Sequence, residues 1–407
     1  MDLSAPEQTP RATDAARFAM NGVAPAQAWR PENASEVADA VRAAAAQGLK
    51  LVPWGGGVAL SRETAPERYD VALDLSALKR IVIHEPDDFT ITAEAGVTLA
   101  ELSAALAAHG QELPLEAAEA WGATLGGVLA ANACGPRRRR FGAPRDRILG
   151  ARFVTGDGVL AHTGGRVVKN VAGHAVHRLL VGSRGALGVF VEASLKLPPA
   201  PMGRVGMVWG IDAATLGDAA RWAAWPRREP AVLTVLGRAI AAMNPVLASD
   251  APFTLIAGFE DDPAWLTSCE AFARDTLGAS RIKVRDASVP PLWQQITDPE
   301  ELPGVRLTLT SAHVTPDAIG WLAGRPVAER LVFHAACGRL ILFVSSSEGA
   351  GLAGETAALV TEAAGHGFTL LEARGVEWPT ADTAPAVSAL RRRLRLALDP
   401  ACVFARG

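Results

Sequence analysis

The sequence predicts an α+β chain in two parts, an α/β-patterned first half followed by a second domain built on an antiparallel sheet. Three observations carry this reading. Capped helical stretches alternate with short apolar strands up to about residue 197. The pair Pro198-Pro199 interrupts that pattern and marks the best domain boundary in the chain. From Pro201 to about Pro379 strand-like pieces alternate with helical ones in a different texture.

The elements follow in order. The first twenty residues are a polar lead-in without a basic and apolar leader pattern, so no signal peptide is expected. Asn33 and Glu36 form a capping signature ahead of the alanine-dense helix Ala34 to Gln47, and Gly48 supplies its stop. Leu49 to Pro53 is a short strand running into Gly55-Gly56-Gly57. Val71 to Leu75, Ile81 to His84 and Phe89 to Glu94 read as strands. Thr98 and Glu101 open a second capped helix that runs to His109 and stops at Gly110. A Gly/Ala-rich run, Gly122 to Ala133, opens a helix near Thr124. Ile148 to Thr155 and Val159 to His162 flank Gly156-Asp157-Gly158, a hairpin signal. Val189 to Leu197 is the last strand before the boundary. Beyond it, Phe253 to Phe259, Val305 to Thr310 and Arg339 to Ser345 read as strands, and Trp265 to Leu277 as a helix. The tail Ala384 to Leu398 is an arginine-studded amphipathic helix closed by Asp399-Pro400.

Composition narrows the function. The 407 residues are 49% hydrophobic and 20% charged, enough to pack large cores and too apolar for a disordered chain. The net charge of −3 lacks the basic excess of a nucleic-acid binder. Lysine occurs only at Lys50, Lys79, Lys169, Lys196 and Lys283, so the basic residues are overwhelmingly arginine. Cys134, Cys269, Cys337 and Cys402 are far apart, which excludes a zinc or iron–sulfur site built by clustered thiolates of this chain and fits free thiols in a reducing compartment. The longest apolar stretch, Trp121 to Cys134, falls short of the roughly 20 residues a membrane span needs.

Three glycine-rich segments carry the chemistry. In Val52-Pro53-Trp54-Gly55-Gly56-Gly57-Val58-Ala59-Leu60, consecutive glycines after a strand can turn backbone N–H groups into one anion-binding concavity; the pattern is neither a Walker loop nor a G-x-G-x-x-G fingerprint. In Gly122-Ala123-Thr124-Leu125-Gly126-Gly127, Thr124 can cap a helix whose free N–H groups face a phosphate or a ring edge. Gly164 to His174 places Lys169 and Asn170 in apolar, glycine-rich surroundings where they need a partner, and Gly182-Ser183-Arg184-Gly185-Ala186-Leu187-Gly188 follows. For all three, close glycine packing or a lysine salt bridge is the alternative explanation.

These blocks, in this order and spacing, resemble the vanillyl-alcohol-oxidase or PCMH-type FAD-binding family, and within it the E-type FAD-binding subunits of glycolate oxidase. WGATLGGVLAANACGPRRRRFGAPRDRILG (Trp121 to Gly150) and GGRVVKNVAGHAVHRLLVGSRGALGVFVEASLKLP (Gly164 to Pro198) carry the resemblance, joined by the ending Asp399-Pro400-Ala401-Cys402-Val403-Phe404. The resemblance implies a PCMH-type FAD-binding domain at 1–199, made of two α/β subdomains at about 21–112 and 113–199. It implies an α+β cap or substrate-type domain at 200–380 and a C-terminal segment, 381–407, whose helix returns to the FAD domain.

By the same resemblance, Pro53, Trp54, Gly55, Gly56, Gly57, Val58, Ala59 and Leu60 match the pyrophosphate loop. Gly122, Thr124, Leu125, Gly126 and Gly127 match a second FAD-contacting turn, and Asn132 and Gly135 the polar turn after it. Lys169, Asn170 and Gly173 match the segment before the later FAD-contacting region. Gly188, Val189 and Phe190 match the strand that lies along the flavin. The chain departs from the family at Trp54, where a basic residue is common, at Gly173-His174-Ala175, where relatives have G-Y-D, and at the ending Phe404-Ala405-Arg406-Gly407. No histidine stands at Val58, Ala59 or Leu60, the positions of a histidyl link in some relatives, so the implied FAD is non-covalent.

The catalytic residues stay unassigned. Tyr69 is the one tyrosine and is expected in a surface loop. His174 and His177 are three apart and could share a helix face as a metal pair does, but no third ligand follows, and no metal is expected. Relatives that oxidise 2-hydroxy acids by themselves carry a paired-histidine D-G-N motif, where this chain offers His334 alone. Arg137 to Arg140 are read as a solvated turn that neutralises FAD phosphates or a partner's acidic face. The resemblance therefore implies a subunit that holds FAD and assembles with a catalytic flavoprotein subunit and an iron–sulfur subunit, cytoplasmic and peripheral to the inner membrane at most. The alternatives are a self-sufficient FAD oxidoreductase of a small alcohol or 2-hydroxy acid, with a base drawn from His174 or His334, and a flavin-free subunit on a degenerate flavoprotein fold.

Overall fold

The computed structural model describes residues 11–12, 14–20, 22–60, 66, 68–117, 122–167, 173–216, 230–278, 280, 282–285, 305–310, 316–334, 338–344, 352–374 and 385–405. The chain divides into two units. One comprises Met1–Gly135, Gly142–Ala200 and Asp382–Gly407; the other comprises Pro136–Phe141 and Pro201–Ala381.

The first unit holds two sheets. Strands β1 (Arg11–Ala12), β2 (Gln27–Arg30), β3 (Leu51–Trp54) and β4 (Val71–Asp74) form one, in the order β1-β2-β4-β3. β2 and β3 both run parallel to β4. Parallel strands need a crossover, and helix α1 (Ala34–Gln47) supplies it between β2 and β3. Asn33 caps α1 by accepting from the Glu36 N–H at 3.0 Å, and Gly48 ends it at φ +66°. The Glu36 carboxylate returns its bond to the N–H of Glu32 at 2.8 Å and to the Asn33 side-chain amide at 2.6 Å. Val37, Ala40, Val41 and Ala44, spaced for one helix face, pack on Trp29, Leu51, Val71 and Leu73.

Strands β5 (Ile81–Glu85), β6 (Thr90–Glu94), β7 (Ile148–Val154), β8 (Leu160–Gly164) and β9 (Val189–Lys196) form the second sheet, in the order β5-β6-β9-β7-β8. Its ladders are antiparallel throughout. Helices α2 (Leu99–Ala107) and α3 (Leu125–Ala131) seat Leu102, Leu106, Leu125 and Leu129 in its core. The Thr98–Glu101 capping box is formed in both directions. The sheets do not part near residue 112. Residues 90–94 pair with 192–196, because Ile91 and Ala93 share a buried face with Ala193 and Leu195; the strands at 81–94 therefore belong with the later half of this unit.

The C-terminal segment closes on β3. The Leu51 N–H donates to Val403 O at 2.8 Å, and the Ala405 N–H donates to Leu51 O at 2.9 Å. Buried Asp399 accepts from the N–H groups of Val403 and Phe404 at 2.8 and 3.2 Å.

The second unit is one antiparallel sheet with helices. Strands β10 (Gly203–Ile211), β11 (Val232–Gly237), β12 (Phe253–Asp261), β13 (Ile282–Arg285), β14 (Val305–Thr310), β15 (Leu331–His334), β16 (Arg339–Val344) and β17 (Thr369–Arg374) lie in the order β13-β10-β12-β11-β15-β16-β14-β17. Leu233, Leu255, Leu307 and Phe333 face one core, which includes Leu266, Leu322 and Ala363 from the helices Pro263–Leu277, Pro316–Ala323 and Leu352–Gly365. Val208, Ile256, Val332 and Ile341 face the other, with Ile240 and Ala241 of the helix Arg238–Ala242. Among the described residues no helix is long and apolar enough to cross a membrane.

Candidate functional site

Strand β3 ends at Trp54, and the chain leaves the sheet through Gly55-Gly56-Gly57. Trp54 turns its ring inward, edge-on to Phe18 with centroids 5.2 Å apart. A basic residue would leave that pocket unfilled, which accounts for tryptophan at this position. A side chain at Gly55 would collide with the Thr124 hydroxyl, and one at Gly56 with the carbonyl of Gly122, whose carbon lies 2.9 Å from the Cβ position. The first turn thus lies backbone-to-backbone on the second, a closeness only glycine permits. Gly57 has φ +79° and no room for a side chain beside the Trp54 indole. Among the described residues the N–H groups of Gly55, Gly56 and Gly57 have no hydrogen-bond acceptor. Beyond them, Val58 packs against the core of the second sheet, and Leu60 against that around Trp54.

In the second turn Thr124 is the N-cap of α3, and its Oγ1 accepts from Gly127 N–H at 3.3 Å. The expectation of free N–H groups at this helix start is not met. Leu125 N–H donates to Val97 O and Gly126 N–H to Ala95 O, each at 2.8 Å, because the segment after β6 runs alongside the helix start. Gly126 is the close contact there, with its Cβ position 2.8 Å from the Ala95 Cβ. Gly127 is half-buried and has only its own cap residue within reach.

The third turn, Gly182 to Gly188, joins both. Gly185, at φ +79°, has its Cβ position 3.1 Å from the Pro53 ring. Gly182, at φ +83°, has its Cβ position 3.3 Å from Asn132. Backbone bonds from Gly182 N–H to Leu129 O at 3.1 Å and from Arg184 N–H to Ala130 O at 2.9 Å tie the turn to the end of α3. Asn132 ends that helix in the left-handed region at φ +51°. The Asn132 Oδ1 and the Ser183 Oγ are buried without hydrogen-bond partners, a costly state for polar atoms unless a further group meets them.

The remaining expected residues are distributed unevenly. Gly188 (φ +156°) has its Cβ position 2.9 Å from Val154 O, and Val189 and Phe190 pair with Val154 and Phe153, their side chains in the cores. Gly135 is buried. Gly173 (φ +78°) is exposed with nothing within 4 Å of its Cβ position, so it does not join the cluster. Lys169 and Asn170 lie outside the described residues. The sequence singles out the segment Gly182 to Gly188 but assigns no FAD contact to Gly182, Ser183 or Gly185, which the structure places against Asn132, α3 and Pro53.

Other candidates behave differently from expectation. Tyr69 is buried, not in a surface loop; its hydroxyl donates to Phe18 O, and burial pushes its pKa up to about 12. His177 is buried with Nδ1 2.9 Å from Thr163 Oγ1, whereas His174 is exposed, so the two do not form a pair on one face. Burial, then Arg178 and His162, lowers the His177 pKa. His334 is 1% exposed with Nδ1 2.9 Å from Thr234 Oγ1. Burial, then Arg339 and Arg306, pushes its pKa down to about 3. His313 and Cys337 lie outside the described residues.

Arg137 is buried rather than part of a solvated turn, whereas Arg138 and Arg140 are exposed as expected. Pro136–Phe141 belongs to the second unit. Arg137 donates from Nε and Nη2 to Glu260 Oε2 at 3.1 and 2.9 Å, Arg204 donates to Glu260 Oε1 at 3.0 Å, and Arg140 donates to Glu260 O at 2.6 Å. A fully buried carboxylate needs such cations, and it draws Arg137 inward.

Comparison with known proteins bears on this site. Residues 25–164 match a family described as an FAD binding domain. The glycolate oxidase subunit GlcE of Escherichia coli (strain K12) is 45% identical over 131 residues, 32% of this chain and 37% of that protein. A D-2-hydroxyglutarate dehydrogenase of Xanthomonas citri pv. viticola is 35% identical over 173 residues, 42% of this chain and 37% of that protein. The chain thus spans well under half the length of these curated relatives. Among solved structures, an alkyldihydroxyacetonephosphate synthase has a TM-score of 0.68 at 19% identity, covering 94% of this chain and 76% of that one. A chitooligosaccharide oxidase has a TM-score of 0.67 at 15% identity, covering 94% and 91%. These two likenesses show a shared fold.

Proposed function

We propose that this chain, whose residues 25–164 match the FAD-binding domain family, is the FAD-holding subunit of a glycolate or related 2-hydroxy-acid oxidase or dehydrogenase complex. The observation that carries the reading is the interlock of three glycine turns, with unpaired donors at Gly55–Gly57 and unpaired buried acceptors at Asn132 and Ser183. Donors and acceptors of this kind fit a ligand that joins an anionic diphosphate to a polar ring edge. Bound FAD would supply a two-electron acceptor.

The chain's own residues would hold it. Gly55, Gly56 and Gly57 would offer backbone N–H groups to the pyrophosphate, with Pro53, Trp54, Val58, Ala59 and Leu60 flanking them. Gly122, Gly126 and Gly127 would provide a side-chain-free wall, with Thr124 as the helix cap behind it and Leu125 anchored in the core. Asn132 and Gly135 would form its polar margin. Gly188, Val189 and Phe190 would present backbone along the ring, since both side chains are committed to cores. The absence of histidine at Val58, Ala59 and Leu60 supports non-covalent binding.

In this reading residues 1–199 with the tail 381–407 serve the cofactor, and 200–380 is a cap-type domain. The oxidation of substrate falls to a second flavoprotein subunit, and an iron–sulfur subunit carries electrons onward. His334 supports that division of labour. Enclosed by its sheet, it is a poor candidate for the base that a self-sufficient enzyme would need. Purification of the chain alone and together with its flavoprotein partner tests the proposal. The isolated chain should carry one non-covalent FAD and reduce little dye with glycolate, while the complex turns over. Rapid turnover by the isolated chain, or a chain that binds no flavin, would contradict it.

A further inference from the structure

The C-terminal helix Pro385–Leu398 carries charges that no ion pair among the described residues answers. Its sequence, PAVSALRRRLRLAL, contains four arginines and no acidic residue. Arg395 is spent on the fold: its side chain is 13% exposed, its Nη2 donates to Phe404 O at 3.2 Å, and it stands 4.0 Å from Asp399. Arg391, Arg392 and Arg393 are exposed and, among the described residues, have no ion-pair partner. Elsewhere arginine commonly meets a carboxylate, as at Arg68–Asp70, Arg80–Glu94 and Arg152–Glu192.

Apolar exposure coincides with this charge. Leu390 and Leu396 are 54% and 55% exposed. At 3.6 residues per turn, Arg392, Leu396, Arg393, Ala397 and Leu390 follow one another around an arc of about 160°. Leu394, Arg395 and Leu398 on the opposite arc are the less exposed positions, and exposed Arg391 falls between Leu398 and Arg395 by angle. The helix thus keeps one side for its own unit and turns outward a strip in which guanidinium groups alternate with leucines.

We propose that this strip docks the chain onto an acidic, apolar-grooved face of another protein, namely the flavoprotein subunit that the proposed function requires; the inference rests on that reading. Charge complementarity selects the partner. Arg392 and Arg393 on the strip, with exposed Arg391 about 100° around the helix from Arg392, attract a carboxylate-rich surface. Arginine is among the residues enriched in the centres of protein interfaces. A lipid surface fits less well, because a helix lying in a bilayer turns a continuous apolar face outward, and here the leucines are interrupted by arginine.

The test measures binding of the FAD-loaded full chain to the separately purified flavoprotein subunit, across a salt series. Three variants are compared: Arg391→Gln/Arg392→Gln/Arg393→Gln, the matching Arg→Glu triple, and Leu390→Ala/Leu396→Ala. Glutamine and glutamate keep helix propensity close to that of arginine, and flavin content and melting temperature check each fold. The Arg→Glu triple should associate ~10-fold or more slowly at low salt, the Gln triple should fall between, and the gap should narrow at high salt. The leucine variant should dissociate faster. Equal rates for wild type and the Arg→Glu triple would overturn the inference while leaving the proposed function standing. Charge-dependent binding to phosphatidylglycerol vesicles, with subunit binding unchanged, would overturn it in favour of a lipid surface. Failure of the wild-type chain to bind the subunit would overturn both readings.

Discussion

Replacing Gly56 with alanine tests the contact between the first two turns. The new Cβ would overlap the Gly122 carbonyl oxygen and stand 2.9 Å from its carbon. Carbon atoms pack at about 3.5–4.0 Å, so the carbon contact alone separates the turns by roughly 0.6–1.1 Å and the overlap with the oxygen by more. Both partners are backbone, so no rotamer change relieves the clash. Overpacking of this kind costs about 1–3 kcal/mol. If FAD requires the closed arrangement, that strain falls on binding and weakens it by about 5- to 150-fold. FAD titration of the deflavinated protein, followed by flavin fluorescence, measures the change, and far-UV circular dichroism checks the fold. Gly320→Ala is the control: its Cβ position in the helix Pro316–Ala323 has nothing within 4 Å, so it should leave FAD affinity alone and add about 0.5–1 kcal/mol of stability. Wild-type FAD affinity in the Gly56→Ala variant would refute the claim that the two turns act together.

Three further outcomes follow from buried groups. His334 has a folded pKa of about 3, below the unfolded value of 6.5, so the folded state binds fewer protons between those values. Its contribution is fully present above about pH 6.5 and is lost as pH falls toward 3; His334→Gln should shrink the loss of urea stability between pH 7.5 and pH 4 by on the order of 3 kcal/mol, and an unchanged pH slope would count against the assignment. Arg137→Met removes one of two guanidinium partners of buried Glu260 and should destabilise the second unit by about 3 kcal/mol in denaturant unfolding; a neutral result would mean Arg204 suffices. Tyr69→Phe leaves the Phe18 carbonyl without its donor and should cost about 1 kcal/mol, read from the thermal unfolding of the first unit.

Local signals were the legible part of the fold. Asn33, Gly48 and the Thr98–Glu101 box act within a few residues of themselves, and the helices they bound form where the sequence indicates. Non-local pairing was not legible: nothing in Thr90–Glu94 itself names residues a hundred positions later as its partner strand. The same limit applied at the site. The glycine runs announced tight turns but not that Gly55 and Gly56 press on Thr124 and Gly122, nor that Gly185 meets Pro53. Thr124 was readable as a cap, whereas the carbonyls of Ala95 and Val97 that take up the N–H groups behind it come from another element. Arg137 looked like surface because a run of arginines gives no hint of a distant buried glutamate. Tyr69 was misplaced for the same reason, since its acceptor, Phe18 O, lies 51 residues away in sequence.

Amide hydrogen exchange with and without FAD addresses the account at its centre. The amides of Gly55, Gly56 and Gly57 have no acceptor among the described residues, whereas those of Leu125 and Gly126 are bonded to Val97 and Ala95. Without FAD the three glycine amides should exchange rapidly; with FAD bound they should slow by about tenfold or more, while exposed Gly173 stays unchanged. Protection that appears elsewhere and leaves Gly55–Gly57 exchanging freely would contradict the account.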